Sequence, residues 1–416
     1  MRQYKDSGIE WVGKIPETWE VCRFKNMHEK SNVGESIDKE YCTDNSSDTL
    51  FYTAGLKPIY TTYDDFPAWK YVNSSDLLLA RNGTPYVHLP LAGAVYSDHI
   101  IRTSIRKNIN KVFIRYCLQQ AIASVAVDTV SIATWSISIW DKQFLPFPTL
   151  EVQQRIADYL DTKCGEIDSL IALQERMIEK LKSYKQSVIT EAVTKGLDPN
   201  AKLVPSGIDW IGEIPTGWKV TVLRRFAHII LGKMLQPSPK FKEDSLEQYI
   251  CAKDVHFEGI DTSDLKKMYF NQAEKELYQI QKGDMLVVEG GAGAAGSCVL
   301  RNDLPDTYIQ NSIMIVRPKQ GIDIRYIQYY EFSLVKKGYV DYVCNKATIP
   351  HFTKDKLSSM PIPLPPLSEQ QAIASYLDEK CADIDRLIAL KRQKIESLKD
   401  YKKSVIYEAV TGKTIL

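Results

Sequence analysis

A segment of 42 residues occurs twice in this chain of 416 residues. Residues 153–194 and 370–411 are identical at 28 aligned positions, with an offset of 217. Neither copy contains Pro, and both are rich in Glu, Lys, Leu and Ala, so each is predicted to form one long helix. Two unrelated core helices would have no reason to keep the same exposed charges. Three such charges recur, namely Lys182, Lys185 and Glu191 as Lys399, Lys402 and Glu408.

Each predicted helix carries a stripe of apolar residues with heptad spacing. A stripe of that length, roughly 60 Å at about 1.5 Å per residue, needs a partner, and the simplest partner is the other copy. We therefore predict an antiparallel pair that relates the two halves of the chain by an approximate two-fold axis. The heptad assigns two core positions to the first copy: Leu160, Ile167, Gln174, Leu181 and Val188 at one, and Lys163, Leu170, Met177, Tyr184 and Glu191 at the other.

The register of the pair follows from keeping Lys side chains out of apolar layers. If the numbers of facing residues sum to 568, the apolar residues face one another. A shift by one heptad instead places Ile167 and Leu170 opposite Lys394 and Lys391, and burying those ammonium groups is costly. We therefore predict the first register, with Gln174, Met177, Lys391 and Lys394 forming a polar middle. Its layers are Ile167–Tyr401, Leu170–Leu398, Leu181–Leu387 and Tyr184–Ile384.

A second repeat lies well before each helix. Residues 7–21 recur as residues 206–220, at an offset of 199, and both contain the pattern Gly-x-Ile-Pro-x-x-Trp. The chain therefore consists of a head, a variable region and a helix, in that order, twice. Pro146–Pro148 and Pro361–Pro366 are predicted to be stiff connectors into the helices. The predicted boundaries are a first domain at 1–150, a helix at 151–195, a linker at 196–205, a second domain at 206–367 and a helix at 368–412.

The two variable regions, roughly 20–145 and 219–360, contain short runs typical of β-strands, separated by Gly, Asn and Asp. Apolar residues with helical spacing follow at 116–125 and 324–336. The predicted fold class is therefore α+β, with two globular domains joined by two long antiparallel coiled-coil helices in an internal pseudo-two-fold repeat. The strand predictions include 76–80, 111–114, 284–288 and 312–316.

Composition and motifs limit the possible classes of function. The net charge is +1, the N-terminus lacks a signal-peptide pattern, and the eight Cys are scattered, which predicts a cytoplasmic chain without a metal or a membrane span. No P-loop, nucleophile elbow or Asn/Asp-Pro-Pro-aromatic motif of amino-methyltransferases indicates catalysis. The one Gly-x-Gly-x-x-Gly run, Gly291–Gly296, precedes another strand pattern. This context favours a turn between strands over a dinucleotide-binding loop.

Basic residues nevertheless cluster locally. Six Lys and Arg lie between Arg81 and Tyr116, with Asp98 as the only acid. Such an excess is the electrostatic footprint of phosphate binding, although a solvated strand face gives the same pattern. Residues 301–346 are more balanced, with seven basic and five acidic residues. Their loops carry Gln, Asn and Lys, which are able to read base edges.

Taken together, these features resemble the specificity subunit of type I restriction-modification enzymes over nearly the whole chain. The resemblance rests on the heads at 13–19 and 212–218, on the run from Thr348–Thr353 to Pro361–Leu367, and on Glu369-Gln370-Gln371 with the helix after it. Gly283–Leu286 is also similar to the pattern of that family. The first half departs from it, because Ile132–Ile137 stands where the second half has Thr-Ile-Pro-His.

The resemblance implies a non-catalytic subunit with two target-recognition domains. Each would read one half of a bipartite site in double-stranded DNA, while the helix pair sets the spacing between the halves. Two methylation subunits would dock on the chain and supply S-adenosylmethionine chemistry, and restriction subunits that use ATP and Mg are optional partners. The chain itself is expected to bind no cofactor. The alternative is a coiled-coil scaffold or adaptor that binds proteins instead of DNA.

The residues predicted to face DNA are polar residues and glycines. Those of the first half are Arg81, Asn82, Gly83, Thr84, Arg102, Arg106 and Thr134, and those of the second half are Gly291, Gly293, Gln310, Asn311, Lys346, Thr348 and His351.

Overall fold

The computed structural model describes residues 3–125, 133–291, 293–344 and 350–414. The chain divides into two compact units: unit 1 contains residues 1–175 and 392–416, and unit 2 contains residues 176–391. Each unit therefore combines one variable region with one segment of each long helix. The predicted α+β class is confirmed, because both units contain sheets and helices.

Unit 1 is built on two four-stranded sheets. Its strands are β1 (Tyr4–Asp6), β2 (Lys14–Pro16), β3 (Glu20–Arg23), β4 (His28–Val33), β5 (Cys42–Thr43), β6 (Thr49–Tyr52), β7 (Ile59–Thr61), β8 (Asp76–Ala80), β9 (Val87–His88), β10 (Val95–Tyr96), β11 (Ile100–Ile105) and β12 (Phe144–Phe147). One sheet has the order β4-β11-β8-β9 and is antiparallel, and the other has the order β10-β6-β7-β5. Strand β8 is buried at all five positions, which confirms the strand predicted at 76–80.

The helices of unit 1 are α1 (Lys111–Ala123), α2 (Ile137–Asp141), the first part of α3 (Leu150–Lys195) and the last part of α8 (Leu367–Val410). The strand predicted at 111–114 is wrong, because these residues form the first turn of α1. Asn110 caps this helix: its side chain accepts a hydrogen bond of 2.9 Å from the backbone N–H of Phe113. Apolar residues at helical spacing then pack on the core, so the cap and the stripe outweigh the local β-propensity of Val, Phe and Ile.

Unit 2 repeats this arrangement with a longer insertion. Its strands are β13 (Leu203–Pro205), β14 (Glu213–Pro215), β15 (Lys219–Val222), β16 (Ala227–Leu231), β17 (Ser245–Ile250), β18 (Val255–His256), β19 (Gly259–Ile260), β20 (Lys266–Phe270), β21 (Met285–Val288), β22 (Ser297–Val299), β23 (Thr307–Ile309), β24 (Ile313–Pro318) and β25 (Pro361–Leu364). Its helices are the last part of α3, α4 (Gln272–Tyr278), α5 (Ile324–Lys336), α6 (Tyr339–Val343), α7 (Lys354–Ser358) and the first part of α8 (Leu367–Val410). The antiparallel sheet β16-β24-β21-β22 corresponds to β4-β11-β8-β9 of unit 1. Helix α5 covers the predicted 324–336.

The Pro-rich runs before the long helices are strands. Strand β12 pairs with β3, and β25 pairs with β15, each in a two-stranded antiparallel ribbon. Proline lacks a backbone N–H and is therefore tolerated at such edges. The strand that begins at the end of each head thus pairs with the strand that leads into a long helix.

Each head also packs against the residue that ends a long helix. Gly412, just after α8, has φ +72°, and a Cβ there would come within 2.6 Å of Pro16 and 2.9 Å of Trp19. Gly196, just after α3, has φ +75°, and a Cβ there would lie 3.3 Å from Trp218. Only glycine combines this left-handed conformation with so close an approach. Head 1 therefore closes onto the end of α8, and head 2 closes onto the end of α3.

The buried stripes of α3 and α8 have alternating spacings of four and three residues. Their members are Leu160, Cys164, Ile167, Ile171, Gln174, Ile178, Leu181, Lys185, Val188 and Ala192, and the equivalents Leu377, Cys381, Ile384, Ile388, Lys391, Ile395, Leu398, Lys402, Val405 and Ala409. The first predicted core position is therefore confirmed. The second is wrong by one residue. Cys, Ile and Ala side chains, together with Lys185 and Lys402, occupy the observed position, while Leu170 and Tyr184 lie beside the stripe. Of the predicted interface residues, Ile167, Leu181, Ile384 and Leu398 are buried or half-buried, whereas Leu170, Tyr184, Leu387 and Tyr401 are about half exposed.

Ion pairs define the register within each unit. In unit 1, the Lys402 ammonium lies 2.6 Å from the Asp168 carboxylate. In unit 2, the Lys185 ammonium lies 2.7 Å from the Asp385 carboxylate. The residue numbers of both ion pairs sum to 570, whereas those of Lys391 and Met177, whose Nζ and Sδ atoms lie 3.4 Å apart, sum to the predicted 568. All three contacts place α3 and α8 antiparallel. Gln174 and Lys391 belong to the stripe, so polar residues do occupy its middle.

Candidate nucleic-acid interface

The turn after β8 and the segment before α2 form the first loop cluster of unit 1. The backbone N–H of Trp135 donates to the carbonyl of Arg81 at 2.6 Å, and Asn82 and Thr134 form a β-bridge. The indole of Trp135, which is buried, donates to the carbonyl of Gly83 at 2.7 Å. These bonds bring Arg81, Asn82, Gly83 and Thr134 together, although they lie about fifty residues apart in the chain.

Unit 2 contains the same construction. The N–H of Phe352 donates to the carbonyl of Glu289 at 2.6 Å, and Gly290 and His351 form the equivalent β-bridge. A Cβ on Gly290 would lie 2.9 Å from Nδ1 of His351, so this imidazole packs directly on the main chain. Gly291, with φ +89°, donates to the carbonyl of Pro350 at 3.3 Å. The structure therefore brings together Gly291 and His351, which were both predicted to face DNA.

A second pair of turns stands beside each cluster. In unit 1, the N–H of Asp98 donates to the carbonyl of Glu35 at 3.2 Å, and in unit 2 the N–H of Asn311 donates to the carbonyl of Lys233 at 2.8 Å. The residue before each carbonyl is a glycine, Gly34 or Gly232, and neither has room for a Cβ beside the facing carbonyl group. These close approaches join the loop after β4 to the turn before β11 in unit 1, and the loop after β16 to the turn before β24 in unit 2.

The two clusters share a backbone but present different side chains. In unit 1, Arg81 is exposed and donates to the carbonyl of Asp98 at 3.2 Å, while the Asn82 amide lies 2.9 Å from Nδ1 of His99. In unit 2, the corresponding surface carries the Gln310 and Asn311 amides, which are hydrogen-bonded to each other. Guanidinium and amide groups are the side chains that pair with purine edges. A constant frame with variable polar tips is therefore suited to reading different sequences.

Several residues of the loop clusters and of the turns beside them were not predicted from the sequence. Glu35, Lys233, His99 and Glu289 adjoin the predicted residues, and Met234 is largely exposed beside Asn311. A signal for two of them exists, because Gly34-Glu35 and Gly232-Lys233 follow the two heads at almost the same distance. His99 and Glu289 have no such signal.

Arg102 does not belong to the cluster. Its guanidinium lies 2.7 Å from the Asp76 carboxylate, which is completely buried, and its side chain is only 11% exposed. The carboxylate also accepts hydrogen bonds from the backbone N–H of Asn73 and the hydroxyl of Ser104, both at 2.7 Å. Arg102 therefore neutralises a buried acid instead of facing a ligand, which corrects its predicted role.

Arg106 is exposed but lies elsewhere in unit 1. The N–H of Arg81 donates to the carbonyl of His99, just before β11 begins, whereas Arg106 follows the end of that strand. Six residues at about 3.3 Å each separate the two by about 20 Å. The six basic residues between Arg81 and Tyr116 therefore do not form one patch. The predicted residues Lys346 and Thr348 lie outside the described part of the chain.

The glycine-rich loop of unit 2 joins β21 to β22, which are antiparallel neighbours. The expectation of a turn between strands is therefore confirmed, and a helix that could receive a pyrophosphate does not follow it. Gly293 accepts a hydrogen bond of 2.8 Å from the N–H of Gly296 within this loop. Among the described residues, no group of three or more His, Cys, Asp or Glu could hold a metal ion, and no helix is long and apolar enough to cross a membrane.

A buried carboxyl group lies behind this loop. Glu331 on α5 is 1% exposed, and its Oε2 is 2.6 Å from the hydroxyl of Ser297, the first residue after the loop. Burial raises the pKa of Glu331 to about 8, and the hydrogen bond from Ser297 offsets only part of that increase. The carboxyl group is therefore mostly protonated at neutral pH. Its hydrogen bond with Ser297 connects the end of the loop to α5 in the core.

A second exposed surface lies on the long helices, beside the buried stripes. In unit 1 it contains Leu170 and Leu173 of α3 and Tyr401 of α8; in unit 2 it contains Leu387 and Leu390 of α8 and Tyr184 of α3. Leu170 and Tyr401 both precede a stripe residue by one position, as do Leu387 and Tyr184, so in an antiparallel pair they line the same side. We call this side the apolar flank of each unit. Exposed apolar surface of this kind is typical of regions that contact other proteins.

Comparisons with known proteins identify the family. The model of the type I restriction modification DNA specificity domain matches residues 16–183 and 215–400. The specificity subunit of the type I restriction enzyme MjaVIII of Methanocaldococcus jannaschii is 24% identical, over 99% of this chain and 97% of that protein. The specificity subunit of the type I restriction enzyme EcoBI of Escherichia coli is 22% identical, over 86% of this chain and 78% of that protein.

Solved structures share the fold. A chain from a study of complex assembly and conformational transition in the type I R-M system has a TM-score of 0.70 at 18% identity, covering 96% of this chain and 99% of that chain. The HsdS subunit from Thermoanaerobacter tengcongensis has a TM-score of 0.51 at 18% identity, covering 96% and 98%.

The family match spans most of the chain, so this protein belongs to the family of type I restriction-modification DNA specificity domains, of which it contains two. Its function is recognition of a DNA target within such a system.

Proposed function

We propose that each unit reads one half of a bipartite DNA site through its loop clusters. The observation that carries this proposal is the recurrence of one hydrogen-bonded frame with different side chains: Asn82 bridges Thr134 in unit 1, and Gly290 bridges His351 in unit 2. Both units keep the same backbone frame while the side chains on it differ. This combination is expected if both units bind DNA and each reads a different sequence. Arg81 and Asn82 would contact base edges in one half-site, and Gln310, Asn311 and His351 would do so in the other.

The chain acts in this proposal as a non-catalytic reader inside a larger complex. Two methylation subunits supply S-adenosylmethionine and the transfer chemistry, and restriction subunits supply the use of ATP and Mg. In support, the sequence contains no motif for any of these reactions. The polar residues of the clusters are engaged in hydrogen bonds that position the loops.

The apolar flank of each unit is the proposed docking site for one methylation subunit. Leu170 and Leu173 lie three residues apart on α3, the spacing of a helix face that packs against a partner helix. Leu387 and Leu390 repeat the pattern on α8. The duplication of this exposed surface supports two docking sites of similar chemistry.

The experiment that tests the function is methylome mapping. The chain is expressed with its methylation subunits in a host that lacks other adenine methylation, and methylated adenines are located in the genome. The expected result is one bipartite motif, with two short constant halves separated by a spacer of fixed length. An uninterrupted motif would contradict the two-reader proposal.

The coiled-coil adaptor alternative predicts a different result. An adaptor would bind its protein partners without changing which adenines are methylated. A gel-shift measurement with random-sequence duplex, with and without methylation subunits, separates the two functions, because only a DNA reader forms a salt-sensitive complex with the duplex.

A further inference from the structure

Unit 1 contains a cavity of about 360 Å³ between α1 and the long helices. Tyr116 and Gln119 of α1 form one wall, Cys164 and Gly165 of α3 form another, and Lys402 of α8 closes a third side. This volume lies within the range of about 300–1,000 Å³ that is typical of ligand sites. The cavity is separate from the loop clusters and from the apolar flank.

In unit 2, an aromatic ring fills the equivalent place. Phe257 lies at the tip of the hairpin formed by β18 and β19. Its ring centroid is 5.7 Å from that of Tyr329 and 4.7 Å from that of Phe332, and the Lys185 ammonium lies 5.5 Å from it. The carbonyl of Phe257 also accepts a hydrogen bond of 2.8 Å from the Gln328 amide.

The two places correspond residue by residue. Lys402 and Cys164 of the cavity are the repeat equivalents of Lys185 and Cys381. Tyr116 donates to Asp161 at 2.8 Å, and Tyr329 donates in the same way to Asp378 at 2.9 Å. The Lys beside the ring or the cavity is held by an Asp in both units. The same scaffold therefore surrounds Phe257 in unit 2 and the cavity in unit 1.

We propose that the cavity of unit 1 binds an aromatic side chain of a partner protein, in the way that unit 2 binds its own Phe257. The partner is one methylation subunit, so this inference rests on the proposed function and deepens it. Lys402, held by Asp168, presents its ammonium to the ring as Lys185 does in unit 2. The polar groups of the wall suit a Tyr or Trp, which carries a polar atom on an apolar ring.

The charges of the wall argue against a phosphate-bearing ligand. The Arg115 guanidinium lies 3.7 Å from Asp161 and stacks on the Tyr116 ring at 4.0 Å, and Lys402 is paired with Asp168. Each cation of the wall therefore already has an acidic partner. An aromatic ring enters without breaking either pair, whereas a phosphate would have to compete with both carboxylates.

The proposal makes the two docking sites unequal. The site on unit 2 supplies its own ring, so its methylation subunit gains no anchor there. The site on unit 1 offers an additional pocket, and a buried aromatic anchor carries a large share of the binding energy in many interfaces. One of the two methylation subunits should therefore bind more tightly than the other.

The test is to fill the cavity from within the chain. A Cβ on Gly165 would meet no heavy atom within 4 Å, so a side chain there extends into the cavity without a clash at its base. Gly165→Phe fills the cavity, and Gly165→Ala is the matched control that leaves it open. Gln120→Trp fills it from the α1 side and keeps the test valid if the first variant folds poorly.

Binding of methylation subunits to the full chain is measured by native mass spectrometry and by titration. Wild type and Gly165→Ala should bind two copies, and the filled variants should lose affinity for one copy by about 10-fold or more. Unchanged affinities in both filled variants would overturn the cavity proposal while leaving the docking proposal intact. No assembly with wild type would instead overturn the docking proposal itself. Loss of DNA binding by the filled variants, with assembly unchanged, would assign the cavity to DNA and also overturn the inference.

Discussion

Lys185 of α3 and Asp385 of α8 lie 2.7 Å apart, and the repeat places Lys402 and Asp168 in the same relationship in unit 1. The Lys185 side chain is only 13% exposed, so an unpaired charge there is costly. One such ion pair occurs in each unit, and each pair joins α3 to α8 in an antiparallel arrangement.

The register predicts which charge reversal is rescued. Lys185→Glu should destabilise the chain by roughly 1 kcal/mol, because two carboxylates then face each other, and Asp385→Lys should restore most of that loss. Thermal midpoints of the wild type, both single variants and the double variant measure the coupling. Asp383→Lys is the matched control, since the register predicted from the sequence would place residue 383 opposite residue 185. Rescue by Asp383→Lys instead of Asp385→Lys would refute the observed pairing.

Replacing Arg81 should affect one position of one half-site. Arg81→Ala removes an exposed guanidinium from the first loop cluster, and the expected cost is about 1–3 kcal/mol of binding together with relaxed specificity at that position. Arg106→Ala serves as the control, because that residue lies about 20 Å away along β11. Affinities for duplexes with single substitutions in each half-site are the measurement. Relaxation in both half-sites, or in neither, would argue against this assignment.

Replacing Arg102 should instead affect stability. Arg102→Met leaves the Asp76 carboxylate buried without its cation, and we expect a loss of roughly 3 kcal/mol in the free energy of unfolding of unit 1. Urea denaturation provides the measurement, with Arg106→Met as a control of similar chemistry at an exposed position. A stable Arg102→Met protein with an altered half-site would return Arg102 to the DNA interface.

The buried carboxyl group of unit 2 predicts a dependence of stability on pH. The folded pKa of Glu331 is raised to about 8 from 4.5, so the folded state keeps a proton that the unfolded state releases. The contribution of this group to the free energy of unfolding is fully present below about pH 4.5. It falls by about 1.4 kcal/mol per pH unit between there and about pH 8. Glu331→Gln should remove this slope, so its advantage in thermal midpoint over wild type should grow from about pH 5.5 to about pH 8.5. Glu213→Gln, at an exposed position of β14, should leave the slope unchanged. Parallel curves for wild type and Glu331→Gln would show that the group is not buried as a neutral acid.

Lengthening one long helix should change the spacer of the DNA site. Four residues inserted in α3 add about 6 Å and rotate the remainder of the helix by about 40°. The expected outcome is a spacer changed by about two base pairs between unchanged half-sites, since the rise of DNA is about 3.4 Å per base pair. Methylome mapping of the insertion variant provides the measurement. New half-sites with the old spacer would show that the helices do not set the distance.

The features that could be predicted from the sequence are those that local pattern or repetition determines. The strand at 76–80 and the helix at 324–336 follow from apolar periodicity, and the long helices follow from the 28 identities of the repeat. Residues 111–114 were predicted as a strand but form the first turn of α1, because the side chain of Asn110 caps that helix. A single polar cap is a weaker signal in the sequence than three apolar residues. The second stripe position was mistaken because Leu170 and Ile171 are both apolar. Only the partner helix distinguishes them.

The candidate interface was harder to predict because its parts meet only in the folded chain. Arg81 and Arg102 are both Arg in the same basic region, yet one is exposed and the other neutralises Asp76, which lies 26 residues earlier. The bridge between Asn82 and Thr134 joins residues with no common motif. Sequence therefore identified the loops more reliably than the individual side chains.

The closure of head 1 onto Gly412 has a consequence for synthesis on the ribosome. Residues 1–175 of unit 1 lack their complement until residues 392–416 emerge, and all of unit 2, residues 176–391, is made in between. At about 5–20 residues per second, the first-made part of unit 1 waits roughly 10–40 s with Trp19 and the neighbouring apolar surface uncovered. Unit 2 has no such delay, because all of its residues are contiguous. The later-made unit should therefore be the first to finish folding, and a nascent chain stalled before Arg392 should expose unit 1 to chaperones and proteases.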